Sequence, residues 1–269
     1  MKNIVIVGAA GRMGKILVRL VQAGIEPGLK LSGAVDLWDC ADLGKDAGLV
    51  AGAGEAGVLI TSDLAALLPA GDVVIDFSAH HGTSGNAPRV AAAGKGLVIG
   101  TTGLNADEKK AVEQAAQKIP VVLAPNMSLG MNLLFALVRK AAEALKGKGY
   151  DVEIIERHHR RKKDSPSGTA IGLGEAAADG YGWDLKKTAV DGRRGLVGER
   201  PVEQIGFHAV RGGDIVGDHT VLFAADGECL ELSHRATSRD AFARGALRAA
   251  AWVAGRTPGL YSMRDVLGV

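Results

Sequence analysis

Short apolar runs alternate with longer alanine-rich segments along the N-terminal half of the chain, and this alternation restricts the fold more than any other feature. The runs predict strands at Ile4–Val7, Lys30–Val35, Val58–Ile60, Val73–Phe77, Leu97–Ile99 and Val121–Leu123. Helices are predicted between them, including Arg12–Ala23 and Ala106–Lys118, with Asn105 as the N-cap of the second. Strands that are apolar throughout belong to a parallel sheet covered on both faces. Because crossovers are right-handed, we predict an α/β fold with a doubly wound parallel sheet.

The second half of the chain has a different pattern. It predicts a helix at Leu129–Leu145, a strand at Asp151–Glu156, a basic loop at Arg157–Lys163, a helix from about Gly168 and a loop or excursion over 180–200. Strands at Glu203–Val210, Ile215–Ala224 and Cys229–His234 are separated by glycine turns and suggest an antiparallel meander. The helix Asp240–Val253 is expected to close the chain. We therefore predict a Rossmann-type domain, residues 1–127 joined by 240–269, and a second α+β domain on a mixed or antiparallel sheet, residues 128–239.

Composition excludes several classes of protein. The formal net charge is only +2, so no global positive field favours nucleic acid. The two cysteines, Cys40 and Cys229, have no C-x-x-C spacing, which argues against a disulfide framework or a zinc site and suits a reducing compartment. No apolar stretch approaches the ~20 residues of a membrane span. We expect a soluble, cytoplasmic protein without a metal.

A glycine-rich segment, Gly8-Ala9-Ala10-Gly11-Arg12-Met13-Gly14, joins the first predicted strand to the first helix. Its spacing, G-x-x-G-x-x-G, is a variant of the dinucleotide fingerprint, in which the glycines permit a tight turn and a close approach to the pyrophosphate. The pyrophosphate would lie at the positive end of the helix. The alternative is a glycine-rich turn without a ligand, but the strand-to-helix context favours coenzyme binding.

Asp36 ends the second predicted strand, where an acidic residue accepts hydrogen bonds from the adenosine ribose. Its carboxylate would repel the 2′-phosphate of NADPH, and Leu37 supplies no cation to offset that repulsion. The guanidinium of Arg12 could still bind that 2′-phosphate. We therefore predict NADH as the preferred coenzyme and NADPH as a tolerated one.

Two further turns follow predicted strands at the edge where open α/β sheets bind ligands. They are Gly100-Thr101-Thr102-Gly103 and Ala124-Pro125-Asn126-Met127. Small residues there would let a nicotinamide ring lie close to the backbone. Ordinary turn chemistry explains either segment alone, and it is their position that favours contact with the coenzyme.

A basic segment runs from Arg157 to Lys163 and is followed by Asp164-Ser165-Pro166-Ser167-Gly168-Thr169. Such runs are usually solvated loops, and a nucleic-acid patch is a second alternative, although no aromatic residues are interleaved for stacking. The predicted helix start favours a small anion, because Gly168 and Thr169 would offer backbone N–H groups there and Lys162 an ammonium. A histidine of the pair His158 and His159 suits proton transfer near neutrality.

At this segment the sequence resembles the 4-hydroxy-tetrahydrodipicolinate reductase (dihydrodipicolinate reductase) family of bacterial lysine and diaminopimelate synthesis. The resemblance extends over nearly the whole chain and includes the glycine loop, Asp76-Phe77-Ser78, Gly100–Gly103, Asn126–Gly130, Glu156–Ala170 and Arg211–Thr220.

The resemblance implies NAD(P)H-dependent reduction of 4-hydroxy-tetrahydrodipicolinate, a small dicarboxylate, to tetrahydrodipicolinate. It assigns a proton donor or acceptor to His158, a proton donor to Lys162, and substrate binding to His159, Gly168 and Thr169. Coenzyme contacts are implied for Gly8, Ala9, Ala10, Gly11, Arg12, Met13, Asp36, Gly100, Thr101, Thr102, Ala124, Pro125, Asn126 and Met127. A homotetramer, formed through the sheet of the second domain, is also implied.

Three other functions remain open from the residues alone. A related dehydrogenase would share the glycine loop without needing the histidine pair, and a coenzyme-binding sensor would bind NADH without turnover. A nucleic-acid-binding module built on the basic loop would bind oligonucleotides in a salt-dependent way.

Overall fold

A computed structural model describes residues 1–269, and the chain divides into two units. Unit 1 comprises Met1–Leu129 and Arg239–Gly268, and unit 2 comprises Gly130–Ser238 with the terminal Val269. The elements, in chain order, are β1 (Lys2–Val7), α1 (Arg12–Gln22), β2 (Leu29–Val35), α2 (Ala47–Val50), β3 (Ile60–Thr61), α3 (Leu64–Leu67), a 3-10 turn (Leu68–Ala70), β4 (Val73–Asp76), α4 (His80–Ala92), β5 (Gly96–Ile99), α5 (Ala106–Ala116), β6 (Pro120–Leu123), α6 (Leu129–Leu145), β7 (Asp151–His158), α7 (Gly168–Tyr181), α8 (Leu185–Thr188), β8 (Ala189–Asp191), β9 (Ile205–Arg211), β10 (Gly217–Ala225), β11 (Glu228–Ala236), α9 (Asp240–Val253), β12 (Gly259–Tyr261) and α10 (Met263–Leu267).

Unit 1 is built on a parallel sheet of seven strands in the order β12-β6-β5-β4-β1-β2-β3. Its central strands are buried along most of their length because a separate apolar core covers each face. Helices α1 and α9 contribute to one core, and α4 and α5 contribute to the other. This arrangement confirms the predicted doubly wound α/β fold.

Local sequence explains where several helices begin. Asn105 accepts the N–H of Glu108 at the start of α5, and the Glu108 carboxylate accepts the N–H of Asn105 in return. This capping box satisfies two N–H groups that the helix itself cannot pair. Helix α1, in contrast, follows Gly11, and no side chain caps it.

Unit 2 contains a mixed sheet of five strands in the order β11-β10-β7-β9-β8. Along β7, buried and half-buried residues alternate strictly, so alternate side chains point to opposite faces. The buried face packs against α6 and α7 in an apolar core that includes Val138, Ile154, Leu173 and Phe223. The other face carries polar residues, among them Glu153.

The predicted meander is only partly correct. Strands β10 and β11 form an antiparallel pair, but β9 runs parallel to β7 and does not pair with β10. The Gly212-Gly213 turn crosses the end of β7, where Gly212 donates its N–H to the carbonyl of His158 and Arg160 donates to Gly213. A connection that passes over β7 in this way cannot close a hairpin.

The predicted loop over 180–200 is wrong in part, because it contains α8 and β8, and two predictions of element boundaries are also wrong. Strand β7 continues through Arg157 and His158, so the basic loop begins only at residue 159. Helix α9 does not close the chain, because β12 follows it and adds a strand beside β6 before α10. The longest helix, α6, has 17 residues, and none of the helices has the length and apolarity needed to cross a bilayer.

Candidate active site

The glycine loop of unit 1 leaves no room for side chains at two of its glycines. Gly8 has φ +79°, and a Cβ there would lie 2.7 Å from the carbonyl oxygen of Phe77. A Cβ on Gly14 would overlap the backbone of Gly8 and Ala9, so this glycine lets α1 pack against the loop. Because nothing caps α1, the N–H groups of its first turn can bind an anion.

Asp36 connects the end of β2 to the glycine loop. Its Oδ2 accepts the N–H of Ala10 at 2.7 Å, and its Oδ1 accepts the N–H of Leu37 at 2.9 Å. A carboxylate can accept about four hydrogen bonds, so Asp36 retains capacity for ribose hydroxyls. The side chain of Leu37 beside it is 59% exposed.

A cavity of about 210 Å³ opens at the carboxyl ends of the central strands of unit 1. It is lined by Met13, Phe77, Gly100, Pro125, Asn126, Met127 and Phe242. Five of these seven are among the residues that the sequence assigns to the coenzyme, and the structure brings them together. Phe77 and Phe242 had no predicted role. The Phe77 ring covers Gly100 so closely that a Cβ at position 100 would overlap it.

A fully buried carboxylate, Asp76, lies at the end of β4 beside this cavity. It accepts hydrogen bonds from Ser78, Thr83, Thr101 and Asn86, and no cation pairs with it. The Thr101 hydroxyl is therefore held inside unit 1, whereas Thr102 is exposed. The side chains of Ala9 and Ala124 are buried in the core, which leaves their backbone for any contact with a coenzyme.

In unit 2, a buried polar cluster surrounds His158 at the end of β7. The Nδ1 atom of His158 lies 2.5 Å from Oε2 of Glu156, two residues earlier on the same face of the strand. Arg211 donates two hydrogen bonds to the Glu156 carboxylate, each 2.7 Å, and Ser167 donates its N–H at 3.0 Å. Burial alone would raise the pKa of Glu156, but the hydrogen bonds from His158 and Arg211 outweigh it and lower that pKa to about 2.

A second histidine, His219 on β10, packs edge-on against His158 with the ring centroids 5.1 Å apart. Its Nε2 lies 3.2 Å from the hydroxyl oxygen of Ser167, while its buried Nδ1 has no hydrogen-bond partner. Burial, with the neighbouring His158 as a further cause, lowers the pKa of His219 to about 3. His219 is therefore an uncharged ring at neutral pH.

The basic loop joins this cluster to the start of α7. Lys162 places Nζ 2.8 Å from the carboxylate of Asp164, and its N–H donates to the carbonyl of His159. Ser167 caps α7 by accepting the N–H of Ala170. Gly168 begins the helix, and a Cβ there would meet no atom within 4 Å, so the space above it is open. Thr169 follows in the first turn.

The structure thus brings His158, Lys162 and the Gly168–Thr169 helix start to one end of the unit 2 sheet. Sequence reasoning gave no role to Glu156, Arg211 or His219. All three lie in segments that carry the family resemblance, and that is the only signal that could have identified them. Arg211 also donates to the carbonyl of Asp164, at 2.8 Å, and so ties the basic loop to β9.

Comparison with known proteins assigns both units to one family. The family model described as "Dihydrodipicolinate reductase, N-terminus" matches residues 2–127, and "Dihydrodipicolinate reductase, C-terminus" matches residues 130–267. A 4-hydroxy-tetrahydrodipicolinate reductase from Anaeromyxobacter dehalogenans (strain 2CP-C) is 54% identical over 269 residues, which is 100% of this chain and 98% of the relative. The reductase of the same name from Syntrophotalea carbinolica is 51% identical over 269 residues, with 100% of each chain covered.

A solved structure with a similar fold is the "Dipicolinate bound Dihydrodipicolinate reductase from Paenisporosarcina sp. TG-14". It has a TM-score of 0.75 and 23% sequence identity, and the match covers 98% of each chain. The expectation from the resemblance is confirmed: the chain belongs to the 4-hydroxy-tetrahydrodipicolinate reductase family and is a nicotinamide-dependent oxidoreductase of lysine and diaminopimelate biosynthesis.

Proposed function

We propose that unit 1 holds the dinucleotide along the carboxyl edge of its sheet. The pyrophosphate would lie over the first turn of α1, beside the glycine loop, whose tight backbone packing leaves no room for a side chain at Gly8 or Gly14. Ala9, Ala10, Gly11 and Arg12 would contact it through their backbone. Asp36 would bind the adenosine ribose. The residues present therefore fit a dinucleotide, which supplies a hydride when bound.

The cavity lined by Gly100 and Pro125–Met127 is the proposed place for the nicotinamide ring. It is largely apolar, and Met13, Phe77 and Phe242 form much of its wall. An apolar wall excludes water from the position where a hydride would leave. Thr101 would contribute through its backbone because its hydroxyl is engaged with Asp76 and Thr83. Thr102 and Ala124 complete the proposed contacts.

We propose that the dicarboxylate substrate binds at the start of α7 in unit 2. The first-turn N–H groups at Gly168 and Thr169 would receive one carboxylate, next to the ammonium of Lys162. Lys162 is paired here with Asp164, whose side chain is 60% exposed. The Lys162 side chain is 21% exposed, so the Asp164 carboxylate is the partner that can turn into solvent and leave the ammonium to a substrate carboxylate. His159 would hold the second carboxylate.

His158 is the proposed proton donor or acceptor, with Lys162 as a further proton donor. The observation that carries this assignment is the bond between Nδ1 of His158 and the buried carboxylate of Glu156. That bond leaves Nε2 as the ring nitrogen that exchanges a proton. 4-Hydroxy-tetrahydrodipicolinate would first lose its hydroxyl group as water, and the conjugated ring that results would gain a hydride and a proton to become tetrahydrodipicolinate.

The test measures kcat and KM of His158→Gln and Lys162→Ala by NADH oxidation, with a dihydrodipicolinate synthase supplying the unstable substrate. His158→Gln should lower kcat by about 10²–10⁴ with a smaller change in KM. Lys162→Ala should lower kcat and raise KM, with a loss of roughly 2–5 kcal/mol in kcat/KM. Lys163→Ala removes an exposed neighbouring cation and serves as the control, with an effect of no more than about twofold. Turnover at the wild-type level in both test variants would refute these roles.

We propose NADH as the preferred coenzyme and NADPH as a tolerated one. Leu37 places no cation beside Asp36, and the only predicted cation for a 2′-phosphate is the exposed Arg12. Parallel assays with the two coenzymes measure the ratio of kcat/KM directly. A ratio that favours NADPH would overturn this preference.

A cytoplasmic homotetramer is the proposed form of the enzyme, with the open face of the unit 2 sheet as the contact surface. Val210, which pairs with Arg157 on that face, is 45% exposed in the single chain. Two free cysteines suit a reducing compartment. Sedimentation equilibrium would contradict the tetramer if it gave the mass of one chain at micromolar concentration.

A further inference from the structure

We propose that Glu156 is a positioning residue for this reaction, which fixes the proton on Nδ1 of His158 and holds the turn that begins α7. The proposal rests on the proposed role of His158. It goes further because Glu156 touches neither ligand in that proposal and acts only through other residues. The carboxylate is 1% exposed, and all its hydrogen-bond donors belong to the chain itself.

Glu156 makes contacts in two directions. Its Oε2 faces Nδ1 of His158 at 2.5 Å, and its Oε1 accepts the N–H of Ser167 at 3.0 Å. Ser167 is the N-cap of α7, so the residue that orients the histidine also orients the proposed carboxylate site. Arg211 bridges both oxygens at 2.7 Å and balances the buried charge.

The charge of Glu156 determines which nitrogen of His158 carries the proton. An ionised carboxylate only accepts hydrogen bonds, so Nδ1 must be the donor. Nε2 is then the nitrogen that gains or loses a proton during the reaction. In the reducing direction, the Nε2–H bond of the imidazolium breaks and the proton goes to the ring that has received hydride. The neutral imidazole that remains keeps its proton on Nδ1.

His219 restricts the same ring from the other side. Its edge-on packing at 5.1 Å limits rotation of His158, and its uncharged state adds no repulsion when His158 is protonated. His158 is thus fixed by a charge at Nδ1 and by packing on its face. A change at Glu156 alone should therefore alter protonation more than position.

Glu153 provides a matched control on the same strand. It is also a glutamate with a histidine and arginine partners, since His208 lies 2.7 Å from Oε2 and Arg193 and Arg200 donate to the carboxylate. The pKa of Glu153 is likewise lowered to about 2, with burial opposing the hydrogen bonds from Arg193 and His208. Because side chains alternate along a strand, Glu153 points to the opposite face from Glu156.

The experiment compares Glu156→Gln, Glu156→Asp and Glu153→Gln in the full chain. A glutamine can donate its amide to Nδ1, which moves the proton of neutral His158 to Nε2, and it loses the hydrogen bond that Oε2 accepts from Arg211. We expect Glu156→Gln to lower kcat by about 10²–10³, with KM changed by no more than about threefold, because the amide oxygen still accepts the N–H of Ser167. Glu153→Gln should leave kcat near the wild-type value.

Isotope effects separate a positioning role from a structural one. If proton transfer slows, the solvent deuterium effect on kcat rises and the effect of deuterated NADH falls. A smaller folded fraction lowers kcat and leaves both isotope effects unchanged. Glu156→Asp keeps the charge and lengthens the contact with Nδ1, so it should show the same change in isotope effects with a smaller loss of kcat. It also provides the test if Glu156→Gln does not fold.

Wild-type kcat in Glu156→Gln, or unchanged isotope effects in both Glu156 variants, would overturn the proposal. The positioning role is also rejected if Glu153→Gln matches Glu156→Gln in every measurement. Failure of the proposed function is recognised separately, because His158→Gln would then retain turnover. A loss of turnover in His158→Gln with none in Glu156→Gln would reject the positioning role alone.

Discussion

Gly217 faces the ring of His158 so closely that a Cβ at position 217 would lie 3.1 Å from Nε2 of that histidine. Gly217 begins β10, and the neighbouring His219 ring lies 3.8 Å from the same point. The backbone at Gly217 has no positive φ, so conformation alone does not require a glycine there. Its small size matters because it leaves Nε2 uncrowded.

Gly217→Ala is therefore expected to lower kcat without unfolding the protein. The added methyl group would displace the His158 ring by a few tenths of an ångström, and a shift of this order can cost about tenfold in rate. Replacing a glycine in an ordinary conformation also restricts the unfolded chain, so thermal stability should change little. The assay is steady-state kinetics together with the melting temperature.

Gly212→Ala is the matched control, because a Cβ at position 212 would meet no atom within 4 Å. Its kinetics should equal those of the wild type. An unchanged kcat in Gly217→Ala would mean that Nε2 of His158 does not take part in the slow steps.

The fold of unit 1 was predictable because its signals are local. The buried runs, the glycine loop and the Asn105 cap each lie within a few residues, and the bounds of α9 follow from the periodicity of its own sequence, as do those of α6 in unit 2. Strand β12 was not predictable, since three residues are too few to form a pattern. The place of β9 was also missed, because alternation identifies a strand without identifying its partner.

The site was also predictable only where its residues lie close together in the sequence. His158, Lys162 and Gly168 lie within a short segment. Arg211 and His219 are more than forty residues beyond that segment, and they reach the site through strand register. His158 pairs with Arg211 across β7 and β9, and Glu156 pairs with His219 across β7 and β10. Register depends on strand order, which the sequence does not reveal.

Coenzyme selectivity should change when Leu37 is replaced by arginine. Its exposed side chain can be replaced by arginine without repacking, and a guanidinium there would meet the 2′-phosphate of NADPH. A hydrogen bond between charged groups contributes roughly 1.5–3 kcal/mol, and repulsion from Asp36 offsets part of it, so kcat/KM for NADPH should rise about tenfold. In Leu37→Arg, kcat/KM for NADH should change little.

Leu260→Arg adds the same charge at the opposite edge of the unit 1 sheet and is the control for that variant. The two positions are five strands apart, roughly 24 Å at 4.8 Å per strand, which exceeds the screening length in physiological salt. An equal gain in kcat/KM for NADPH in both variants would show a general effect of the added charge. It would contradict a contact between the arginine at position 37 and the 2′-phosphate.

The contact between Gly100 and Phe77 predicts that a substitution at Phe77 can suppress the effect of a substitution at Gly100. Gly100→Ala would push the Phe77 ring into the proposed nicotinamide cavity, so KM for NADH should rise about tenfold or more, as expected when a contact worth 1–2 kcal/mol is lost. Adding Phe77→Leu removes the overlap and should restore part of the affinity. Gly85→Ala, with open space around it, is the control. A double variant no better than Gly100→Ala would contradict this account.

The buried His219 makes stability depend on pH in a specific window. Its pKa is about 3 in the folded chain and about 6.5 when unfolded, so only the unfolded state takes up a proton as pH falls below 6.5. The free energy of unfolding should then decrease by about 1.4 kcal/mol per pH unit, or about 2 kcal/mol by pH 5. Glu153 and Glu156, with folded pKa values of about 2, lose their stabilising effect only as pH falls below their unfolded value of 4.5, so their contribution lies outside this window.

His219→Gln should therefore show a flatter decline of melting temperature between pH 6.5 and pH 5 than the wild type. His81→Gln changes an exposed histidine of α4 and should keep the wild-type slope. The comparison uses the difference in slope between variants, which removes the contributions of the other histidines. Parallel slopes for the wild type and His219→Gln would mean that His219 takes up its proton in the folded chain. The conclusion that His219 is an uncharged ring beside His158 would then be wrong.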